Sequence, residues 1–349
     1  MFAWGWWIAR VALLVLLCCV GLGSQVAAAE RGRVDLEIAT QTGLSPEVSR
    51  DWLKTLQGLD LIGLRIRQGK TSDMIELKTS GSGASATHRV SGAIMGDGTL
   101  RLPGGRFRQG DRAGVAKWLD KLQQGGEEGL TTKPAAFGLL PRQLVEVHEA
   151  LAAKVGFSTL DKSPREVVDG IADRLTLKLQ IDSAASRALN EGENVSEEVL
   201  GLSSGTALAA VLRPLGLVLV PQKAGASLEL RVADSGAAAE HWPVGWPSKK
   251  PPKDTLPDLY KFLNVEVKGT PVGEAVEAVR GRLNVPLLID QNSLARQQID
   301  MQTTNVALPK TNTFYSKILD RLLFEAKLKY ELRVDEAEQP FLWITTLKQ

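Results

Sequence analysis

Leu208-Ala209-Ala210-Val211-Leu212-Arg213-Pro214-Leu215-Gly216-Leu217 faces, 111 residues later and without a gap, Leu319-Asp320-Arg321-Leu322-Leu323-Phe324-Glu325-Ala326-Lys327-Leu328. Each stretch reads as a helix running into a strand. Upstream of each, matching pieces stand in the same order. Strands at Phe157-Ser158-Thr159-Leu160 and Val265-Glu266-Val267 lead to helix starts at Ser163-Pro164 and Thr270-Pro271, an N-cap followed by an N1 proline in both. Ser163 with Glu166 completes a capping box, whereas the second copy has Gly273 at that place. Apolar stripes follow at Val168, Ile171 and Leu175 and at Val272, Val276, Val279 and Leu283, and the next strands, 177–182 and 285–290, both end in Ile-Asp. A further strand is expected before each quoted helix. Two strands close each block, 218–221 with 228–232 and 329–334 with 341–345. The sequence thus predicts an α+β chain containing two related β-α-β-β-α-β-β modules.

This arrangement of a Ser/Thr-Pro start, a striped helix, a strand ending Ile-Asp and a Leu-x-x-Leu-Leu helix running into Leu-x-Tyr resembles a known family. It is similar to the short periplasmic domain at the N-terminus of secretins and of TonB-dependent receptors, over about 157–233 and 263–347. The resemblance implies a protein-docking or ring-forming module of the bacterial envelope. It implies no catalytic group, and no stretch of this sequence reads as a secretin pore or an outer-membrane barrel. Residues 33–132 match no family on their residues.

Before the repeats, Val34 to Ile38 alternates like a strand, and Ser45-Pro46 opens a helix carrying Val48, Trp52, Leu53 and Leu56. Short alternating runs at 61–67, 73–78, 88–95 and 99–108 read as antiparallel hairpins. Asp111 caps a helix bearing Val115, Trp118, Leu119 and Leu122, which Gly125-Gly126 should stop. A small α+β unit over 33–132 is expected, then a module over 137–234 that begins with a leading helix from Pro141. Residues 235–258, with five prolines, read as a semi-rigid linker, and 259–349 as the second module, able to fold alone. The 349 residues suit two or three domains.

Residues 1–29 have the layout of a secretory signal peptide: Arg10, an apolar run, then Ala27-Ala28-Ala29 before Glu30. Export to the periplasm or cell envelope is expected, with membrane attachment only if the leader stays uncleaved and Trp4, Trp6 and Trp7 anchor it. Both cysteines, Cys18 and Cys19, lie in the leader, so the mature chain offers no disulfide, thiol nucleophile or thiolate metal site. A net charge of +2 gives no electrostatic case for nucleic acid.

Candidate chemistry is sparse. Gly201-Leu202-Ser203-Ser204-Gly205 has the G-x-S-x-G form, followed by Asp234 and His241 in hydrolase order, and makes a small secreted serine hydrolase using Ser203 the alternative function. Such an elbow needs a large parallel sheet, and helix capping explains the string more simply. Gly81 to Ala86 reads as a hairpin loop rather than a dinucleotide loop, and Glu191, Glu193, Glu197 and Glu198 as a solvated loop rather than a calcium site. His148 lies on an apolar helix side, where packing is the ordinary role, and His88 and His241 lack ligand-like neighbours. No metal site or cofactor is expected.

Trp242 and Trp246 stand in the proline-rich stretch without an obvious core, either clamping the linker to a flanking module or contacting a partner. Strand addition is the expected docking mode, with Phe341, Trp343 and Ile344 of the last strand as its site. The sequence therefore predicts an exported, non-enzymatic docking or assembly component that binds an envelope protein or peptide, with a peptide-binding module of an envelope signalling system as another alternative.

Overall fold

The computed structural model describes residues 31–70, 73–81, 85–225 and 227–347; the leader reading over 1–29 lies outside them. The fold is α+β. Its first unit comprises β1 (Arg33–Thr40), α1 (Pro46–Leu56), β2 (Gly63–Gln68), β3 (Glu76–Ser80), β4 (Thr87–Ile94), β5 (Leu100–Leu102), β6 (Gly105–Phe107) and α2 (Arg112–Thr131). Alternation on β1 buries Val34, Leu36 and Ile38 against Trp52 of α1 and Trp118 of α2. The sheet order is β2-β1-β4-β5-β6, with β3 on β4. Because α1 carries the chain back across the sheet, β2 lies parallel to β1 rather than in a hairpin with β3, which corrects the reading of 61–78. Gly125-Gly126 ends the first run of α2 as expected: Gly126, at φ 58°, breaks the helical geometry, and a second helical run continues to Thr131.

The first module holds α3 (Pro141–Leu151), α4 (Pro164–Ala172), β7 (Lys178–Ile181), α5 (Ser183–Glu191), α6 (Ser204–Leu212), β8 (Leu217–Ala224) and β9 (Ser227–Asp234). Then come β10 (Trp246–Pro247) and the single turn α7 (Pro252–Thr255). The second module follows with β11 (Phe262–Pro271), α8 (Val272–Leu283), β12 (Leu287–Ile289), α9 (Gln291–Arg296), β13 (Asn305–Phe314), α10 (Tyr315–Glu325), β14 (Leu328–Val334) and β15 (Pro340–Thr346). The sheet β7-β9-β8 and the run β12-β15-β14 have one topology, with β7 parallel to β9 and β12 parallel to β15, and the remaining pair antiparallel in each.

The β-α-β-β-α-β-β pattern needs three corrections. The strand expected before the quoted helix is present in the second module, as β13, but absent before α6 in the first, where Ser203 makes a single bridge to Lys154. After each Ile-Asp the chain turns into a helix, α5 or α9: Asp290 caps α9 by accepting from Ser293 N, while Asp182 stands at the N-cap of α5 with its carboxylate held by Arg231. Residues 157–160 form no strand: the Glu198 carboxylate accepts from Ser158 Oγ and Thr159 N, and Thr159 Oγ1 donates to the Glu197 carbonyl, so the 193–199 loop takes up those groups.

The proline-rich stretch is built into the fold rather than acting as a spacer. Trp246 and Pro247 pair with Val334 and Arg333 of β14, extending the second sheet to β10-β14-β15-β12. Strand β15 lies inside that sheet and is buried on both faces: Phe341 and Trp343 join the first module's core with Leu288 and Trp242, while Leu342 and Ile344 face the second module's own core. A fragment of residues 259–349 would expose Phe341 and Trp343. We expect it to self-associate on size exclusion while 137–347 elutes as a monomer; a monomeric, cooperatively melting 259–349 would contradict the shared core.

Candidate functional site

The joint between the modules is made of buried carboxylates from the β14–β15 turn and the start of α9. Asp335 Oδ2 accepts from Ser203 N at 2.8 Å, and its Oδ1 from Ala337 N and Gln339 N. Glu336 accepts from Trp242 Nε1 at 2.6 Å and from Thr206 Oγ1 at 2.8 Å. Burial pushes Glu336 up to about 7, against the lowering effect of those two donors. Arg213 grips Asp290 with Nε at 3.0 Å and Nη2 at 3.1 Å, and Ser293 and Thr345 add hydroxyl donors to the same carboxylate. The guanidinium carbons of Arg213 and Arg333 lie 5.9 and 5.2 Å from the Trp343 ring centre. At the other end, Glu197 Oε1 accepts from Ile289 N at 3.1 Å and Gln291 Nε2 at 3.3 Å. Desolvation pushes Glu197 up to about 7, with the nearby Asp290 charge acting in the same direction.

The sequence-predicted contact residues fall inside this joint. Trp242 is 3% exposed, stacks on Phe137 and meets Trp246 edge-on at 5.3 Å, with His148 5.1 Å from Trp246. The two indoles clamp the proline-rich stretch onto the first module. Phe341, Trp343 and Ile344 are core residues, and β15, flanked by β14 and β12, has no free edge. The reading of β15 as a docking edge is corrected: a strand with six consecutive buried residues from Phe341 to Thr346 is covered on both faces.

Ser203 is fully buried, its hydroxyl accepting from Ala337 N at 3.2 Å and facing Ala152 O at 3.5 Å. It occupies the N-cap of α6 without a side-chain cap bond, while Asp234 caps Gly236 N and His241 is exposed. The two glycines of the string have structural reasons. Gly201 sits at φ 83°, and a Cβ on Gly205 would run into Glu336 Oε1 and fall 2.7 Å from Trp242 Nε1. Gly205→Ala should therefore cost about 2 kcal/mol by displacing that pair, whereas Ser203→Ala, losing the two long contacts of its hydroxyl, should cost about 1 kcal/mol. Chemical denaturation of both variants checks the order; equal losses would contradict it.

In the glutamate loop, Glu197 and Glu198 are tied down as described, so only the rest of it is solvated. His88 is buried, paired through Nδ1 with Thr79 Oγ1 at 2.9 Å, and held below its ordinary range by burial. It lines a cleft of about 1070 Å³ between the first unit and the first module. Residues 82–84 of the Gly81–Ala86 loop lie outside the described residues, and β3 and β4 on either side pair antiparallel. Among the described residues no group of three or more His, Cys, Asp or Glu side chains is arranged to hold a metal ion, and no helix is long and apolar enough to cross a membrane.

Open strand edges remain as surfaces that could take a partner's backbone. Most are short or covered. Strand β7 has four residues and β12 three, and the Ile289 amide of β12 is taken by Glu197. On β8, Leu219 O accepts from Trp242 N at 2.7 Å and the turn at Ala136–Gly138 packs alongside. On β13, Ala307 N donates to Glu325 Oε2. Strand β11, like its partner β13, is ten residues long with a single strand neighbour, but no side chain among the described residues is seen on its outer amides; it alternates an exposed row of Phe262, Asn264, Glu266 and Lys268 with a half-buried row of Leu263, Val265 and Val267. Sequence reasoning missed this edge because the Val265–Val267 strand looked three residues long. It also missed Glu336, since an Asp-Glu pair in a turn carries no sign of burial.

No known family model, curated protein or solved structure matches the chain.

Proposed function

We propose that the chain is an exported, non-enzymatic docking or assembly component of a bacterial envelope that holds an extended segment of a partner protein as an added strand along β11. The observation that carries this reading is the ten-residue β11 edge, which has β13 as its single strand neighbour. A strand in that position offers backbone N–H and C=O groups to an incoming peptide, and its side-chain rows can set specificity. Phe262, 70% exposed and edge-on to Phe314 at 5.5 Å, gives an apolar anchor at one end. The resemblance of 157–233 and 263–347 to the short periplasmic domain of secretins and TonB-dependent receptors, and the leader over 1–29, support the envelope as the place of work. We read the two modules as copies of one unit, the first of which has become a platform that fixes the second through β15 and Trp242.

The test is photo-crosslinking in a bacterial host that makes the full chain with its leader. A photoreactive residue at Asn264, Glu266 or Lys268 should give one discrete adduct with an envelope protein, and the same residue at exposed Lys178 of β7 should not. An exported chain giving no adduct from any β11 position, or the same adduct from Lys178, would overturn the docking surface. A chain retained in the cytoplasm would overturn the envelope assignment.

A further inference from the structure

A second, separate feature stands on the side of the joint formed by the 193–199 loop. A cavity of about 340 Å³ opens there, within the size range of small-molecule sites. Its floor is apolar, from Val199, Ala210, Val211, Pro214 and Leu215. Its charged lining consists of Glu193 and Glu197, with no lysine, arginine or histidine. Glu197 is the distinctive group. Its Oε1 is held by the Ile289 amide and Gln291, while Oε2 has no hydrogen-bond partner among the described residues and is not sealed from solvent. A half-fixed carboxylate over an apolar floor is built to receive a donor that arrives with an apolar body.

We propose that this cavity binds a small primary amine, its apolar tail on the Val199–Val211–Leu215 floor and its ammonium on Glu197 Oε2. The ammonium supplies the charge partner that Glu197 lacks, since the groups around it are Glu193, Glu198 and Asp290, with Arg213 committed to Asp290 and Arg280 to Glu277. Because burial already holds the Glu197 carboxyl up to about 7, protons compete with the amine. Affinity should therefore fall towards tenfold for each pH unit below that value and level off above it. Glu197 also touches β12, so an occupied cavity would bear on the same joint that fixes the second module.

The experiment uses the full mature chain with three six-carbon probes, hexylammonium, 1-hexanol and hexanoate, followed by amide chemical shifts of Ala210, Val211 and Leu215. Hexylammonium should give saturable shifts at pH 7.5, hexanol should bind at least about tenfold more weakly, and hexanoate should give none. Glu197→Gln keeps an acceptor for Ile289 N and should weaken hexylammonium at least about tenfold. Ser196→Trp, on the exposed rim, should block the mouth without touching Glu197. Equal binding of hexylammonium and hexanol, or hexylammonium binding unchanged in either folded variant, would overturn the proposal. An absence of saturable shifts with any probe would overturn it as well.

Discussion

Replacing Trp242 by alanine should lower the stability of the two-module body by about 4 kcal/mol, a fall in melting temperature of roughly 8 to 16 °C for a body of this size. The side chain is 3% exposed and fills space between Phe137 and Trp246, so truncation leaves a cavity in the first module's core. It also removes the indole N–H from Glu336, leaving a buried carboxyl one donor short. Trp242→Phe separates the two effects, because it keeps most of the volume and loses only the donor, and should cost about 2 kcal/mol. Differential scanning calorimetry checks both variants. A change below about 1 kcal/mol in Trp242→Ala would mean that the proline-rich stretch is a spacer after all.

The same joint should tighten as the solution becomes mildly acidic. Glu336 titrates near 7 in the folded chain against about 4.5 when exposed, so the folded state holds a proton that the unfolded state has released. A carboxyl with a raised folded value contributes stability that is complete below about 4.5 and is lost as pH rises to about 7. The loss is about 3 kcal/mol for this group. Glu197 acts with the same sign, less strongly because it is partly exposed. Asp290 has the opposite sign, being held below its ordinary range by Arg213 and Ser293 against the effect of burial, and weakens the joint only under more acid conditions. His88 also opposes the trend, as burial lowers its value and its neutral form is favoured in the folded state. Urea unfolding at pH 5, 6, 7 and 8 should show the wild-type chain losing stability across this window. Glu336→Gln, in which His88 and Asp290 are unchanged, should lose less by about 3 kcal/mol. Parallel pH profiles for the two proteins would contradict the role given to Glu336.

The local signals read well from the sequence where one residue settles one bond. Ser45 before Pro46, Asp111, and Ser163 with Glu166 cap their helices as their side chains demand. What the sequence concealed is the joining of the blocks. The β15 run Phe341-Leu342-Trp343-Ile344 lacks the polar alternation of a one-sided strand, and that was the available sign that it is covered on both faces. An aspartate after a strand can also cap the next helix, as Asp290 does for α9, and the sequence alone does not separate the two roles. Arg213–Asp290 and Trp242–Glu336 are pairs 77 and 94 residues apart, and no local rule brings such residues together.

Amide hydrogen exchange of the full mature chain distinguishes an uncovered β11 edge, on a body locked by β15, from a covered one. Along 262–270 alternation is expected: amides turned towards β13 exchange slowly, and those turned away exchange within seconds to minutes, as unpaired edge donors do. Along Leu342–Ile344, the part of β15 paired with both β14 and β12, protection close to the global unfolding free energy is expected. Uniformly slow exchange through 262–270 would mean that the edge is already covered, and would contradict strand addition along β11.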